Sequence, residues 1–137
     1  AIERSLFDLF RVKYSDFPKG KIIQIESPDF VVQINARTAI GIEITSYYNH
    51  ELTSVSKSSR FNRDRFNALI LKKEAKLTFY RKEKFKELWL LIAIMPLRNG
   101  QSYQIPANCI NWRISSGFDK VFLIESQSGK LIEFSEF

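Results

Sequence analysis

Apolar positions along the 137-residue chain change period several times, and the changes mark out the elements. From Ile2 to Tyr14 they recur at 2, 6, 9, 10 and 12, a helical spacing. "FPKG" at Phe17–Gly20 then interrupts the pattern, as a Pro–Gly breaker does. Three runs rich in β-formers follow, at Ile22–Glu26, Phe30–Asn35 and Ala39–Tyr47, with Asn35-Ala36-Arg37-Thr38 as the hairpin connection between the last two. After a polar loop holding His50, a long helix is predicted from about Thr53 to about Leu77. Val55, Ser59, Asn62, Phe66, Leu69, Ile70, Lys73 and Leu77 share one of its faces. Leu88–Met95 is an unbroken apolar run, as expected of a strand covered on both sides. Pro106–Ser116 reads as a second helix with Pro in its first turn, and Val121–Glu125 and Leu131–Phe134 as two last strands around "SQSGK". The predicted order is αβββαβ followed by αββ: an α/β fold, with a mixed sheet flanked by helices.

Composition narrows the class. A single domain over residues 1–137 is expected, because the length supports one core and not two. One cysteine, Cys109, and one histidine, His50, exclude a disulfide framework and disfavour a Cys/His zinc site. The apolar run "LWLLIAIMPL" is half the length of a membrane-spanning helix, so no membrane association is expected. "AIERSLFDLF" has no signal-peptide core, and a cytoplasmic protein is the expectation; starting at Ala1, the chain reads as a processed or excised domain.

Charge is more informative. Between Lys57 and Lys86 lie 11 Lys/Arg and three acids, an excess of +8, whereas the remainder of the chain carries −2 within a net +6. Such a segment attracts phosphates, and interleaved Phe61, Phe66, Phe79, Tyr80 and Phe85 favour an ordered surface. Lys57, Arg60, Arg63, Lys72 and Lys76 are the candidates for gripping nucleic acid. A basic stripe does not distinguish DNA from RNA or from an acidic membrane.

The carboxylates supply the chemistry. In Ala39–Tyr47 the side chains of Gly41, Glu43 and Thr45 point to one face and those of Ile40, Ile42 and Ile44 to the other. Pairing around Arg37 sets Asp29 opposite Thr45 and Val31 opposite Glu43. Asp29 and Glu43 then become diagonal neighbours about 7–8 Å apart. Two anions so placed need a cation, and hard oxygen donors suit Mg²⁺ or Mn²⁺.

"PDF" at Pro28–Phe30 followed by "GIEIT" at Gly41–Thr45 resembles the PD-(D/E)xK nuclease superfamily, the restriction-endonuclease-like fold. The resemblance covers about Ile2 to Met95 and includes the αβββαβ order, with αββ as a C-terminal extension. It implies that Asp29 and Glu43 bind a divalent metal, and that a lysine two residues after the glutamate assists the attacking water. It also implies a further acid from the first helix, for which Glu3 is the matching position. Glu26, just before the motif, reads as a strand-end surface acid. The departure is Thr45, which occupies the lysine position without its charge. Two readings remain. Either another cation reaches the site, with Arg63 the candidate from the helical wheel, Lys57 on the outward side and Lys73 three turns further along; or the fold is kept for binding and catalysis is lost. The first is preferred, since both metal carboxylates are present. His50 reads as a loop residue without a catalytic role, Cys109 as a small buried helix residue, and Tyr47 and Tyr48 as candidate nucleic-acid contacts. The expected function is a Mg²⁺- or Mn²⁺-dependent deoxyribonuclease. The alternatives are an inactive nucleic-acid-binding or protein-interaction module, and a homodimer or subunit completed by a partner chain.

Overall fold

A computed structural model describes residues 2–47, 61–96 and 103–134. Helix α1 spans Ile2–Lys13 and buries Leu6, Phe7 and Phe10, a three–four spacing that puts one stripe on the core. Glu3 in its first turn and Arg11 and Lys13 in its last complement the helix dipole. Six strands form one sheet in sequential order: β1 Lys21–Gln24, β2 Phe30–Asn35, β3 Thr38–Tyr47, β4 Glu87–Ile94, β5 Lys120–Glu125 and β6 Leu131–Glu133. The first three form an antiparallel meander, β3, β4 and β5 run parallel, and β6 turns back antiparallel on β5. The parallel β3–β4 pair needs a crossover, which contains α2 (Arg63–Glu74) and α3 (Leu77–Lys82). The protein is thus α/β, with a mixed six-stranded sheet flanked by helices, and no described helix is long and apolar enough to cross a membrane.

Alternation along the central strands splits the core in two. Ile40, Ile42 and Ile44 of β3, with Trp89 and Leu91 of β4, pack under α1 against Phe7 and Phe10. Leu90 and Ile92 face the other way, onto Phe66 and Ile70 of α2 and Leu77 and Tyr80 of α3. Leu88–Ile94 is buried throughout, as its continuous apolar run requires.

Three expectations are corrected. The β2–β3 register differs: Phe30 pairs with Ile42 and Val31 with Gly41, so Val31 does not face Glu43. The ladder shifts between Gln33 and Asn35, where the Gln33 amide holds the carbonyls of Asn35 and Thr38, and Asn35 Oδ1 accepts the Arg37 N–H. The crossover helix is broken rather than continuous. It starts after Asn62, whose side chain accepts the Arg65 N–H as an N-cap, and a tight Lys76 N–H to Lys73 carbonyl turn separates α2 from α3. Its predicted first part falls within 48–60, outside the described residues. Finally, Pro106–Ser116 is not an α-helix. A 3₁₀ turn covers Ala107–Asn111, after which buried Trp112 and Ile114 alternate with exposed Arg113 and Ser115, a period of two. Asn108, Asn111, Ser115 and Ser116 compete with helical hydrogen bonds there, so the C-terminal extension is a 3₁₀ turn followed by two strands.

Candidate metal and phosphate site

β3 outruns β2 by several residues, and Asp29 sits at the step. Its carbonyl accepts the Ile25 N–H at 3.0 Å, and its Oδ2 accepts the Ile44 N–H at 2.7 Å. The carboxylate therefore takes the acceptor place that a longer β2 would fill with backbone. Gly41 allows the approach: a Cβ there would lie 3.0 Å from Pro28 Cγ and 2.8 Å from Leu88 Cδ2. The observed register, continued by one residue, sets Asp29 opposite Glu43 rather than Thr45. The register is off by an even number of residues, so this continuation leaves Asp29 on the Glu43 side of the pair, and the charge of Glu43 helps to raise the Asp29 pKa.

Glu43 is the charged side chain buried among the described residues, at 3% exposure. An isolated carboxylate in that position would be costly, and two hydrogen-bond donors and a second ammonium offset the cost. The Tyr80 hydroxyl donates to Oε1 at 3.0 Å and itself accepts from Ser27 Oγ at 3.0 Å. Lys76 Nζ donates to Oε2 at 3.0 Å, and Lys73 Nζ lies 3.6 Å from the same oxygen. Burial is the main reason that the Tyr80 phenol is pushed up to about 12, so it stays a donor. The hydrogen bond to Glu43 is the main reason that the Lys76 ammonium is held above its usual range.

Asp29 is held differently. Burial raises its pKa to about 7, a hydrogen bond with Glu3 and the charges of Glu43 and Glu3 add to the rise, and the Ile44 N–H opposes it. The structure thus brings together Glu3 from α1, Asp29 before β2 and Glu43 in β3.

No group of three His, Cys, Asp or Glu side chains among the described residues is arranged to hold a metal. The candidate donors are two carboxylates, Asp29 and Glu43, with Glu3 contributing to the raised pKa of the first. Such a pair fits Mg²⁺ or Mn²⁺, which commonly take one or two carboxylates and fill the remaining positions with water and phosphate oxygens.

The cations differ from those the helical wheel favours. Arg63 opens α2, and its guanidinium lies over the Trp112 ring at 4.9 Å, not at the carboxylates. Among the described residues, Lys73 and Lys76, at the far end of α2 and the break beyond it, reach Glu43. Thr45 lies on the Glu43 face, two residues further along β3 and paired with Ile92. Lys72 is exposed on α2, and Glu26 is exposed in the turn before the motif. Lys57, Arg60, Tyr48 and His50 lie outside the described residues. Tyr47 is buried, with its hydroxyl accepting the Asn62 N–H, which makes it a core residue anchoring the helix start. Sequence reasoning missed Tyr80 and Ser27. No helical spacing marked Tyr80, because α2 ends at Glu74 and Tyr80 lies on the separate helix α3. No family model matches the chain, and neither a curated protein nor a solved structure does.

Proposed function

We propose that the protein is a divalent-metal-dependent nuclease of the PD-(D/E)xK type acting on DNA, with Asp29 and Glu43 as metal ligands and Lys76 as the cation that Thr45 does not provide. The observation that carries this reading is one cluster: two carboxylates sharing a sheet face, with an ammonium 3.0 Å from Glu43 Oε2. The chain order through β4 agrees with the αβββαβ core that the sequence resemblance implies, with α3 as a short addition.

When bound, Mg²⁺ or Mn²⁺ supplies charge neutralisation at the phosphate and an acidified water. The chain's own residues do the rest. Asp29, whose carboxyl burial raises to about 7, would give up its proton on holding the cation. Glu43, locked through Oε1 by Tyr80, keeps a fixed orientation. Lys76 places positive charge beside the carboxylates, where negative charge accumulates in phosphodiester hydrolysis. Exposed Lys72, Lys82, Lys84 and Lys86 extend the basic surface for backbone phosphates.

A second reading has its own observation. Both oxygens of Glu43 already have donors, which is also how a permanent buried ion pair looks, and this favours a non-catalytic binding module. The test is cleavage of plasmid, linear duplex and single-stranded DNA with Mg²⁺ and with Mn²⁺. The nuclease reading expects metal-dependent cleavage that Asp29→Ala and Glu43→Gln abolish while the variants remain folded. Activity equal to the parent in both variants would refute the site. An inert parent with every metal and substrate would leave the binding module.

A further inference from the structure

The two oxygens of Glu43 have donors of opposite character. Oε1 is held by the Tyr80 hydroxyl, and Tyr80 is 1% exposed and braced by Ser27. Oε2 is held by Lys76, whose side chain is 47% exposed, with Lys73 at 20% beside it. A phenol in the core cannot leave without opening the packing of α3. A half-exposed ammonium on a flexible stem can leave, because water solvates it as soon as it moves.

We propose that Lys76 occupies the seat of the divalent cation on Glu43 Oε2: it is a resident counter-charge that metal displaces, while Tyr80 confines the exchange to that one oxygen. The inference rests on the metal-dependent reading above and adds to it how the site is kept before metal arrives. The electrostatics require some such device. Glu43 is buried next to a second carboxyl group, so an empty site without an ammonium would leave an uncompensated charge beside Leu90, on the apolar sheet face that Leu88 and Ile92 share. A lysine and a metal ion compete for the same lone pairs, so each occupancy excludes the other at Oε2. The displaced ammonium remains tethered beside the carboxylates, available to a phosphate.

Competition has a signature that a supporting role lacks. Removing a residue that helps to build a site weakens binding, whereas removing a competitor strengthens it. If Lys76 occupies Oε2 about nine-tenths of the time, its loss raises the apparent metal affinity about tenfold.

The experiment measures Mn²⁺ binding to the full chain without DNA, from loss of the free-ion EPR signal, for the parent, Lys76→Met, Lys72→Met and Glu43→Gln. Lys72→Met controls for the general gain that any cation site shows when a nearby positive charge is removed, since Lys72 is exposed on α2, four residues before Lys76. Thermal melts confirm folding, and Lys76→Ala substitutes if Lys76→Met does not fold. The expected result is binding about tenfold tighter in Lys76→Met, within about twofold of the parent in Lys72→Met, and lost in Glu43→Gln. Cleavage by Lys76→Met falls even as its metal affinity rises. Equal affinities in Lys76→Met and Lys72→Met, with binding still dependent on Glu43, would overturn the seat and leave the metal reading standing. Absence of saturable Mn²⁺ binding in both the parent and Lys76→Met would overturn the metal reading, and the seat with it.

Discussion

Replacing Asp29 by Asn should make the metal-free protein more stable at alkaline pH while abolishing cleavage. Asn keeps both interactions: its Oδ1 can accept the Ile44 N–H, and its Nδ2 can donate to Glu3. What it removes is the charge. The Asp29 carboxyl is raised from 3.8 to about 7 in the folded chain, chiefly by burial. Below the lower value the group is protonated folded or unfolded, and its contribution to stability is fully present. Between the two values the folded chain still holds a proton that the unfolded chain has released, so stability declines as pH rises, until the folded group also ionises near 7. Taken at face value the shift corresponds to about 4 kcal/mol. Asp29 is only half-buried, so solvent screening brings the expected effect to about 1–2 kcal/mol. Urea denaturation in EDTA at pH 4.5 and pH 8 measures it. The parent should lose about 1–2 kcal/mol more than Asp29→Asn over that interval, so the variant gains on the parent as pH rises. Parallel pH dependences would refute a strained carboxyl at Asp29. Stability gained together with function lost is the pattern expected where charge is concentrated for chemistry.

Tyr80→Phe leaves Oε1 of buried Glu43 without its donor and should cost about 1–3 kcal/mol in urea denaturation; an unchanged midpoint would refute the Tyr80–Glu43 bond. Arg63→Ala should cost about 0.5–1 kcal/mol by removing the guanidinium from the Trp112 ring, with the cleavage rate within about twofold of the parent. A rate loss comparable to that of Glu43→Gln would return Arg63 to the chemistry. Lys72→Ala with Lys82→Ala should weaken binding about equally across DNA sequences and make log affinity against log salt shallower, by roughly one unit for each phosphate no longer neutralised. An identical slope would mean that these lysines only solvate the helices.

Some of this was written locally in the chain. The existence of α1, the three early β-runs and the doubly buried β4 follow from side-chain spacing, although the stripe of α1 that is buried is Leu6, Phe7 and Phe10 while Ile2 and Val12 are exposed. The shared face of Asp29 and Glu43 was also legible. It depends only on parity along the strands, and a register change of two residues leaves parity intact. The register itself was not legible, since side-chain hydrogen bonds from Gln33 and Asn35 fix the shift at the hairpin. Nor was the identity of the cation. A helical wheel assumes one continuous helix of known start, whereas α2 starts at Arg63 and breaks after Glu74. Where the helix stops, and how α3 then packs Leu77 and Tyr80 onto the sheet, determines that Lys73 and Lys76 meet Glu43 while Arg63 meets Trp112. The sequence supplied a glutamate that needed a partner and 21 Lys and Arg side chains from which to draw one. Choosing among them is a matter of distances between elements remote in the chain, and only the packed tertiary structure sets those distances.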